Sequence, residues 1–294
     1  GMIRKCIYCR SSSLHLFKTV KRYSLIRCNN CSLVQTSQRK SNDREAINKI
    51  MYNDEYLHNY IKREKELKLR LYRRVTEIEK YKTGGKILDV GCSVGFLLEA
   101  IKETSRYNWE IFGVDINEKS ILLAKKRLNA NLRVGSLTSI KYPSGLFDCI
   151  TCFDVLEHDF NLEHTLQEIR RILKADGLLV IQSPNYKSVM AKLSGVYWDW
   201  WSLPDHVIHF DLNTLIAILL KNKFSILKWF SWESEEDFVF NIVGSIRKSL
   251  PSTFLMNKII SKLAIVPVKI VWRLILLPER IMGIGGSLVV YAKR

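Results

Sequence analysis

Four cysteines near the start of the chain have the spacing of a metal site. Cys6 and Cys9 form one C-x2-C pair, and Cys28 and Cys31 form a second pair after eighteen intervening residues. Each pair makes a tight turn that places two thiolates on one side of a metal, and two pairs complete a tetrahedral site. The spacing therefore predicts a structural zinc site that leaves no open position for a substrate.

The segment between the two pairs predicts a small ribbon over residues 1–40. The stretches LHLFKTV and YSLIRC are typical of two neighbouring strands. A ribbon of this size depends on its metal to fold. Two disulfides are the alternative, but the charged first residues do not resemble a signal for secretion into an oxidising compartment. The ribbon could hold RNA, cover a substrate site or brace the next domain.

A second candidate site lies in the stretch GKILDVGCSVGFLLEAIKE, where a strand pattern runs directly into a helix pattern. Gly91 and Gly95 allow a ligand to approach the backbone, and the helix N-terminus offers N–H groups to an anion. Asp115 lies 26 residues after Asp89 and ends the next predicted strand, where its carboxylate can accept hydrogen bonds from both hydroxyls of a ribose. This layout predicts a nucleoside cofactor. The turn, with Ser93 at its centre, lacks the G-x-G-x-x-G pattern of dinucleotide sites.

An alternation of predicted strands and helices positions this turn. Residues 41–83 form a linking segment with a predicted helix over 54–82, and residues 84–234 form the core. Asp176 and Gly177 are expected to stop the third core helix. The alternation predicts an α/β fold, a mostly parallel sheet with helices on both faces and ligands at the carboxyl ends of its strands. The predicted strands are 86–90, 110–115, 131–134, 147–153, 177–183 and 224–231, and the predicted helices are 94–103, 117–128, 161–173 and 212–222.

Charge is unevenly distributed along the 294 residues, whose net charge is +17. Residues 1–83 carry +12, residues 84–240 carry −3 and residues 241–294 carry +8. Basic ends suit an anionic partner such as nucleic acid, anionic lipid or a phosphate-bearing substrate. A basic surface without a specific partner is the alternative.

A helical insert, 235–284, separates the core from its last strand, 285–294. The insert is apolar and basic, and Pro267 and Pro278 make it too interrupted to span a membrane. Its residues 250–281 could lie in a membrane interface, with apolar side chains in lipid and basic side chains near phosphates. A helical cap over a substrate pocket or a dimer contact is the alternative. We expect a cytoplasmic protein, with or without peripheral contact at the inner face of the membrane.

Five motifs occur in the order seen in class I S-adenosylmethionine-dependent methyltransferases, and the chain resembles that family over roughly residues 50–232. With a ribbon ahead of the core, the chain is similar to bacterial methyltransferases related to ubiquinone-type O-methyltransferases and sugar C-methyltransferases. The resemblance implies a Rossmann-like sheet and the cofactor S-adenosylmethionine. The motifs are ILDVGCSVGFLL, FGVDINEKSI, FDCITCFDVLEH, LQEIRRILKADGLLVIQSPN and PDHVIHFDLNTLIAILLKNKF.

The resemblance also implies roles around the glycine turn. The turn would surround the methionine part of the cofactor, Asp115 would hold the ribose, and Ile116 would pack on the adenine. The family usually has glycine in place of Ser93, and many relatives have an acidic residue for the adenine amine where this chain has RVGSL. The expected cofactor residues are Asp89, Gly91, Cys92, Ser93, Gly95, Asp115, Ile116, Ser136, Leu137, Phe153 and Asp154.

Methyl transfer to a hydroxyl or a carbon acid requires removal of a proton, and a histidine that titrates near neutral pH suits that task. His206 is the leading candidate, and His158 is either a second candidate or a residue that orders its loop. His209 is expected to be structural. A divalent ion held by Glu157, His158 and Asp154 is a further alternative implied by ubiquinone-type relatives. The expected acceptor-binding residues are Tyr56, Tyr197 and Trp198, the last two from the aromatic stretch VYWDWWSLP.

These features favour a methyltransferase acting on a small molecule, either a sugar, a lipid-linked glycan or a quinone-like compound, at oxygen or carbon. An RNA base methyltransferase that uses the ribbon and the basic N-terminal block to hold RNA is the alternative. A binding module with a relic cofactor site is a third interpretation. The complete set of Asp89, Gly91, Gly95 and Asp115 argues against the relic.

Overall fold

The computed structural model describes residues 5–37, 54–249, 266–270, 272 and 282–294. In chain order the strands are β1 Leu14–Val20, β2 Tyr23–Cys28, β3 Val34–Thr36, β4 Gly85–Val90, β5 Trp109–Asp115, β6 Asn131–Val134, β7 Phe147–Phe153, β8 Leu173–Pro184, β9 Ile208–His209, β10 Ser225–Trp232 and β11 Ser287–Lys293. The helices are α1 Asp54–Lys62, α2 Glu64–Glu79, α3 Phe96–Thr104, α4 Glu118–Arg127, α5 Leu137–Ile140, α6 Leu162–Ile172, α7 Val189–Ser194, α8 Leu212–Lys221 and α9 Glu235–Ser249. Single 3-10 turns cover Leu156–His158, Gly195–Tyr197 and Asp199–Trp201.

The larger sheet has seven described strands in the order β10-β11-β8-β7-β4-β5-β6. Strands β4 to β8 pair in parallel, whereas β11 runs antiparallel to both β8 and β10. The chain leaves β4 toward β5 and β6 and then returns to place β7 on the other side. A topological switch point therefore lies at β4, where ligands of such sheets bind.

Alternate residues of the strands supply two separate cores, one on each face of this sheet. Leu88, Ile150 and Leu179 pack into one buried cluster. Their neighbours Ile87 and Cys149 pack into the other, which α2, α3 and α4 cover. Strands buried on both faces carry near-continuous apolar runs, which is the pattern seen in the sequence. The predicted α/β fold with helices on both faces is confirmed.

The linking segment differs from its prediction, since the expected single helix over 54–82 is two helices. The break lies at Arg63, whose φ and ψ are −87° and 6° and whose N–H donates to Tyr60 O, three residues back. The two helices have different partners. Leu57 of α1 packs in a small cluster with Phe96, whereas Val75 of α2 packs in the core on the sheet.

The expected helix stop at Asp176 and Gly177 is also wrong. Helix α6 ends at Ile172, and β8 starts at the next residue. The register of β8 against β7 shifts between Leu173 and Leu178, so Gly177 lies in an irregular start of the strand. A Cβ at Gly177 would lie 2.5 Å from Leu173 Cγ. Close packing of the bulged backbone therefore accounts for this glycine.

A smaller sheet joins the N-terminal ribbon to the core. Its order is β1-β2-β3-β9, and β9 comes from the segment that follows the aromatic stretch. Val34 pairs with His209, and Gln35 pairs with Ile208. All four of these residues are buried. The ribbon therefore shares a sheet with the core instead of projecting from it.

Part of the insert before the last strand is described. Helix α9 packs Phe238 and Val243 into a third cluster with Trp198 and Trp201, and Val268 joins them. Within the described ranges, no helix combines the length and apolar character that crossing a membrane requires. Most of residues 250–281, for which membrane contact is predicted, lie outside the described part of the chain, and this contact stays a prediction.

Candidate functional site

Four parallel strands end at one edge of the larger sheet and bring the expected cofactor residues together. Val90 pairs with Val114 and Cys152, and Asp115 pairs with Val134, so that β4 to β7 end side by side. The turn after β4 leads into α3, whose N-terminus has no side-chain cap. Because the first N–H groups of a helix have no partner within it, this edge can receive an anionic group.

The two glycines of the turn have conformations that other residues rarely adopt. Gly91 has a φ of 74° and Gly95 a φ of 85°. A Cβ at Gly91 would lie 2.4 Å from Val155 Cγ2, and one at Gly95 would lie 2.7 Å from Leu128 Cδ1. Backbone conformation and close packing therefore both require glycine here.

Ser93 and Cys92 have different roles in the same turn. Ser93 has a left-handed φ of 48°, which explains why glycine is the usual family residue and costs about 1 kcal/mol for serine. Its N–H donates to Asp115 Oδ2 over 2.8 Å. The side chain of Cys92 is buried in the core, where its Sγ lies 2.8 Å from the position of a Cβ on Gly113. Cys92 can therefore present only its backbone to a ligand.

The two expected carboxylates are both buried and both fixed by hydrogen bonds. Asp115 accepts the N–H of Ser93 at Oδ2 and the N–H of Asn117 at Oδ1, each over 2.8 Å. Burial raises the pKa of Asp115 although these amides oppose the shift. Asp89 accepts the Thr151 hydroxyl over 2.7 Å, and burial raises its pKa to about 7. A carboxylate has about four acceptor positions, so Asp115 can also accept from a ribose hydroxyl.

The residues expected around the adenine lie after β5 and β6. Ile116 is 55% exposed, so its side chain is open to a flat ring. Ser136 caps α5, with its Oγ accepting the Ser139 N–H over 3.3 Å. The side chain of Leu137 is buried in the core, which leaves its backbone for a ligand.

Asp154 is held beside the end of β7 by a chain of polar side chains. Its φ is 57°, and its Oδ2 accepts the Gln182 side-chain N–H over 2.9 Å. Gln182 Oε1 accepts from Arg74 Nη2 over 3.1 Å, and the Arg74 guanidinium also lies over the Trp232 ring. Phe153 packs partly against the core. Neither Gln182 nor Arg74 stands out in the sequence, because Gln182 lies in an apolar strand and Arg74 among many basic helix residues.

His158 is held in its protonated form by carboxylates. Its Nδ1 lies 3.2 Å from Asp205 Oδ2, and a ligand atom of the Glu157 carboxyl group lies within 4.8 Å of the ring. Burial lowers the pKa of His158, but the hydrogen bond to Asp205 and the charges of Glu157 and Asp205 outweigh it and raise the pKa to about 9. His158 is therefore cationic at neutral pH. Asp205 has no signal in the sequence beyond its position one residue before His206.

His206 is held in the opposite state. Its Nδ1 lies 2.9 Å from Trp200 O, and since a carbonyl only accepts, Nδ1 carries the proton. Its Nε2 therefore has a lone pair. Burial and the nearby charge of His158 lower the pKa of His206 well below its usual value. The two rings meet edge to face with centroids 4.7 Å apart, which places a neutral base beside a cation.

His209, which was expected to be structural, and the residues expected to bind the acceptor are less accessible. His209 is buried against Trp201, with ring centroids 5.2 Å apart, and burial lowers its pKa to about 3. Trp198 is buried in the third cluster instead of lining an open surface. Tyr197 is 39% exposed. The side chain of Tyr56 lies outside the described part of the chain.

A group of three side chains has ligand atoms within 4.8 Å of one another, and it differs from the ion site considered above. It contains Glu157, His158 and His206, without Asp154. Glu157 Oε2 accepts the Ser183 hydroxyl over 3.0 Å, and burial raises the pKa of Glu157 to about 8. Each of the three side chains offers one ligand atom, so the group suits either a metal ion or exchange of a proton among its members.

The four ribbon cysteines do converge. Cys6 Sγ lies 3.5 Å from Cys31 Sγ, Cys9 Sγ lies 3.4 Å from Cys28 Sγ, and all four sulfurs lie within 4.8 Å of one another. Zinc with Zn–S bonds of about 2.3 Å separates tetrahedral sulfur ligands by roughly 3.8 Å, so the thiols fit this metal. None of the four forms a disulfide.

A family model described as a methyltransferase domain matches residues 56–228. The chain belongs to this family. The predicted class I S-adenosylmethionine-dependent methyltransferase is thereby confirmed, and the protein is an enzyme. The match leaves the ribbon and β11 of this methyltransferase outside the family model.

Curated relatives of the methyltransferase are similar over part of their length. A ubiquinone biosynthesis O-methyltransferase of Glaesserella parasuis is 29% identical over 192 residues, which are 60% of this chain and 74% of the relative. A ubiquinone/menaquinone biosynthesis C-methyltransferase of Geotalea uraniireducens is 30% identical over 109 residues, 35% of this chain and 46% of the relative.

Solved structures share the fold at lower identity. A methyltransferase of Archaeoglobus fulgidus superposes with a TM-score of 0.53 at 22% identity, over 79% of this chain and 94% of its own. A phosphoethanolamine N-methyltransferase of Haemonchus contortus has a TM-score of 0.57 at 15% identity, over 89% of this chain and 62% of its own.

Proposed function

We propose that this methyltransferase methylates a small molecule, either a sugar, a lipid-linked glycan or a quinone-like compound, at a hydroxyl oxygen or an acidic carbon. The observation that carries the proposal is the edge-to-face pair of His206 and His158, in which His206 Nδ1 lies against Trp200 O. His206 offers an unprotonated Nε2, and the cationic His158 lies with its ring centroid 4.7 Å away. An acceptor that must lose a proton needs such a base.

The edge formed by β4 to β7 fits S-adenosylmethionine. Asp115 would take the ribose hydroxyls, the exposed Ile116 would take one face of the adenine, and the uncapped N-terminus of α3 would lie near the methionine part. When bound, the cofactor supplies an electrophilic methyl group on a sulfonium. The ribbon would hold zinc through its four cysteines, in a closed and structural site.

The histidine pair would then control the acceptor's proton. His206 Nε2 accepts the proton of the acceptor hydroxyl or acidic carbon, because its Nδ1–H is already donated to Trp200 O. His158, fixed by Asp205, stabilises the negative charge that develops on the acceptor. Base catalysis of this kind is worth about 10²–10⁴ in rate.

Two observations support a small acceptor. The name of the Glaesserella parasuis relative specifies methylation of oxygen in ubiquinone biosynthesis. In addition, the ribbon's third strand is paired with β9 and buried. This part of the ribbon is therefore packed on the catalytic domain and does not form an exposed surface for RNA.

The proposal is tested with methyl-labelled S-adenosylmethionine and a lysate of the source cell, divided into lipid extract, polar metabolites, RNA and protein. We expect label in lipid or polar metabolites, and much less with His206→Ala. Label in RNA instead would replace the proposal with the RNA base methyltransferase. Binding of the cofactor with no label in any fraction would favour the relic site.

A further inference from the structure

One side chain of the ribbon contacts the segment that carries the proposed base. Thr36 is 1% exposed and lies at the end of β3. Its N–H donates to Val207 O over 3.0 Å, and its Oγ1 donates to His206 O over 2.9 Å. Thr36 Oγ1 also lies 3.1 Å from His209 Nε2. Three residues of the 206–209 segment are thus bound by one residue about 170 positions earlier in the chain.

The donors and acceptors that each side chain offers fix the direction of these hydrogen bonds. The single hydroxyl proton of Thr36 is donated to His206 O, so the contact with His209 requires an N–H on His209 Nε2. His209 is then a neutral donor, in agreement with its low pKa. The hydroxyl of Thr36 is therefore used as donor and acceptor at once, and a hydrocarbon side chain would leave two buried polar groups unsatisfied.

The same segment is fixed from its other side by the core. Val207 N–H donates to Glu157 O over 2.8 Å, and His206 N–H donates to Ser202 O over 2.9 Å. With Thr36 in place, the backbone of the segment is held from both sides. The direction in which His206 Nε2 points depends on both sets of contacts.

Gln35, the neighbour of Thr36, connects the cysteine cluster to Thr36. Gln35 Oε1 accepts the Ile7 N–H over 2.8 Å, and its Nε2 donates to Lys5 O over 3.2 Å. These two backbone groups flank Cys6, one of the four thiol ligands. Gln35 is completely buried, so its amide fixes β3 relative to the first cysteine pair. An ordered metal site therefore also fixes the position of β3.

We propose that Thr36 is a positioning residue for His206, and that the ribbon acts on methyl transfer through this contact. The inference rests on the proposed function, since it assigns the orientation of the proposed base, His206, to the ribbon. It makes the ribbon a support for the proposed base, with its influence acting through the histidine segment. The side chain of Thr36 contacts His206 and His209 and not the cofactor edge built from β4 to β7.

The test compares Thr36→Val, which removes the hydroxyl, with Thr36→Ser, which keeps it. Thr19→Val is the matched control, because Thr19 is an exposed ribbon threonine of β1. Imidazole ¹⁵N NMR reports the tautomers without an acceptor. Turnover is measured with labelled S-adenosylmethionine and the lysate fraction that accepts label, and zinc content and cofactor affinity are measured on the same samples.

We expect Thr36→Val to lose the Nε2–H signal of His209, to shift the ring signals of His206 and to lower kcat at least tenfold, with cofactor affinity and zinc content unchanged within twofold. Thr36→Ser and Thr19→Val should match the wild type. Unchanged histidine signals in Thr36→Val would overturn the inference. Altered signals with full turnover would also overturn the inference, whereas full turnover in His206→Ala would refute the proposed function, so the two failures are distinguished.

Discussion

The cofactor edge and the histidine segment are built in different ways. The cofactor edge uses the ends of neighbouring strands, and its contacts, such as Ser93 N–H to Asp115, join residues about one strand-helix-strand step apart. The histidine segment is assembled from the ribbon, the turn after β7 and β9. One half of the site is therefore local in sequence, and the other depends on long-range contacts.

This difference predicts that the two halves can be damaged separately. Changes in the ribbon should disturb proton transfer and leave cofactor binding intact. Changes at Asp115 should weaken the cofactor and leave the histidines in place.

Loss of the ribbon metal should abolish turnover. In Cys28→Ser, or after chelation of the wild type, we expect turnover to fall at least a hundredfold, because β3 loses its support and His206 loses Thr36. Calorimetry should show cofactor affinity within threefold of the wild type. Zinc returned to the chelated wild type should restore turnover. A parallel collapse of cofactor affinity would show that the two halves are not separable.

His206→Ala should reduce kcat by about a hundredfold or more, because the proton of the acceptor loses its base. Steady-state kinetics with the labelled fraction measures kcat, and calorimetry should show an unchanged Kd for the cofactor. His164→Ala, on the exposed surface of α6, is the matched control. Full turnover in His206→Ala would remove this residue from the mechanism.

Asp115→Ala should weaken S-adenosylmethionine binding at least tenfold, because it removes the ribose acceptor and the partner of the Ser93 N–H. Isothermal titration gives the Kd. Asp176→Ala, at a side chain that is 75% exposed, tests whether any aspartate substitution has this effect. The ¹⁵N signals of His206 should not change in either variant, and a change in Asp115→Ala would contradict the separation of the halves.

The smallest expected effect concerns pH and stability. The pKa of folded His158 is about 9 against an ordinary value of 6.5, so its stabilising contribution is complete below pH 6.5 and is lost as pH rises through 9. The free energy of unfolding of the wild type should therefore fall more steeply between pH 6.5 and 9 than that of Asp205→Asn. Denaturant titration at several pH values measures both slopes, and equal slopes would contradict the ion pair.

The sequence predicted the position of the glycine turn and of the strand ends around it because its signals are local. Apolar runs, Gly91, Gly95 and the spacing of Asp89 and Asp115 all lie within one strand-helix-strand step, and the turn lies where they place it. The cysteine cluster followed from spacing alone for the same reason. Helix ends were less certain, since Gly177 serves a bulge in β8 and Arg63 interrupts the linking helix.

The histidine segment could be predicted only as a set of residue types. Nothing local to His206 indicates that Thr36 binds its carbonyl, or that Asp205 turns toward His158 and not toward solvent. Trp198 was expected beside the acceptor because aromatic residues often line pockets, but tertiary packing buries it with α9. These features arise from contacts between distant segments, which residue patterns do not encode individually.

The pairing of β3 with β9 also bears on synthesis of the chain on the ribosome. The ribbon emerges early, yet the strand that completes its sheet follows about 170 residues later. At about 5–20 residues per second, the edge of β3 stays without its native partner for roughly 10–35 s. An open edge of this kind can pair with other chains, so nascent or truncated chains that end before residue 208 should aggregate more readily than the complete protein.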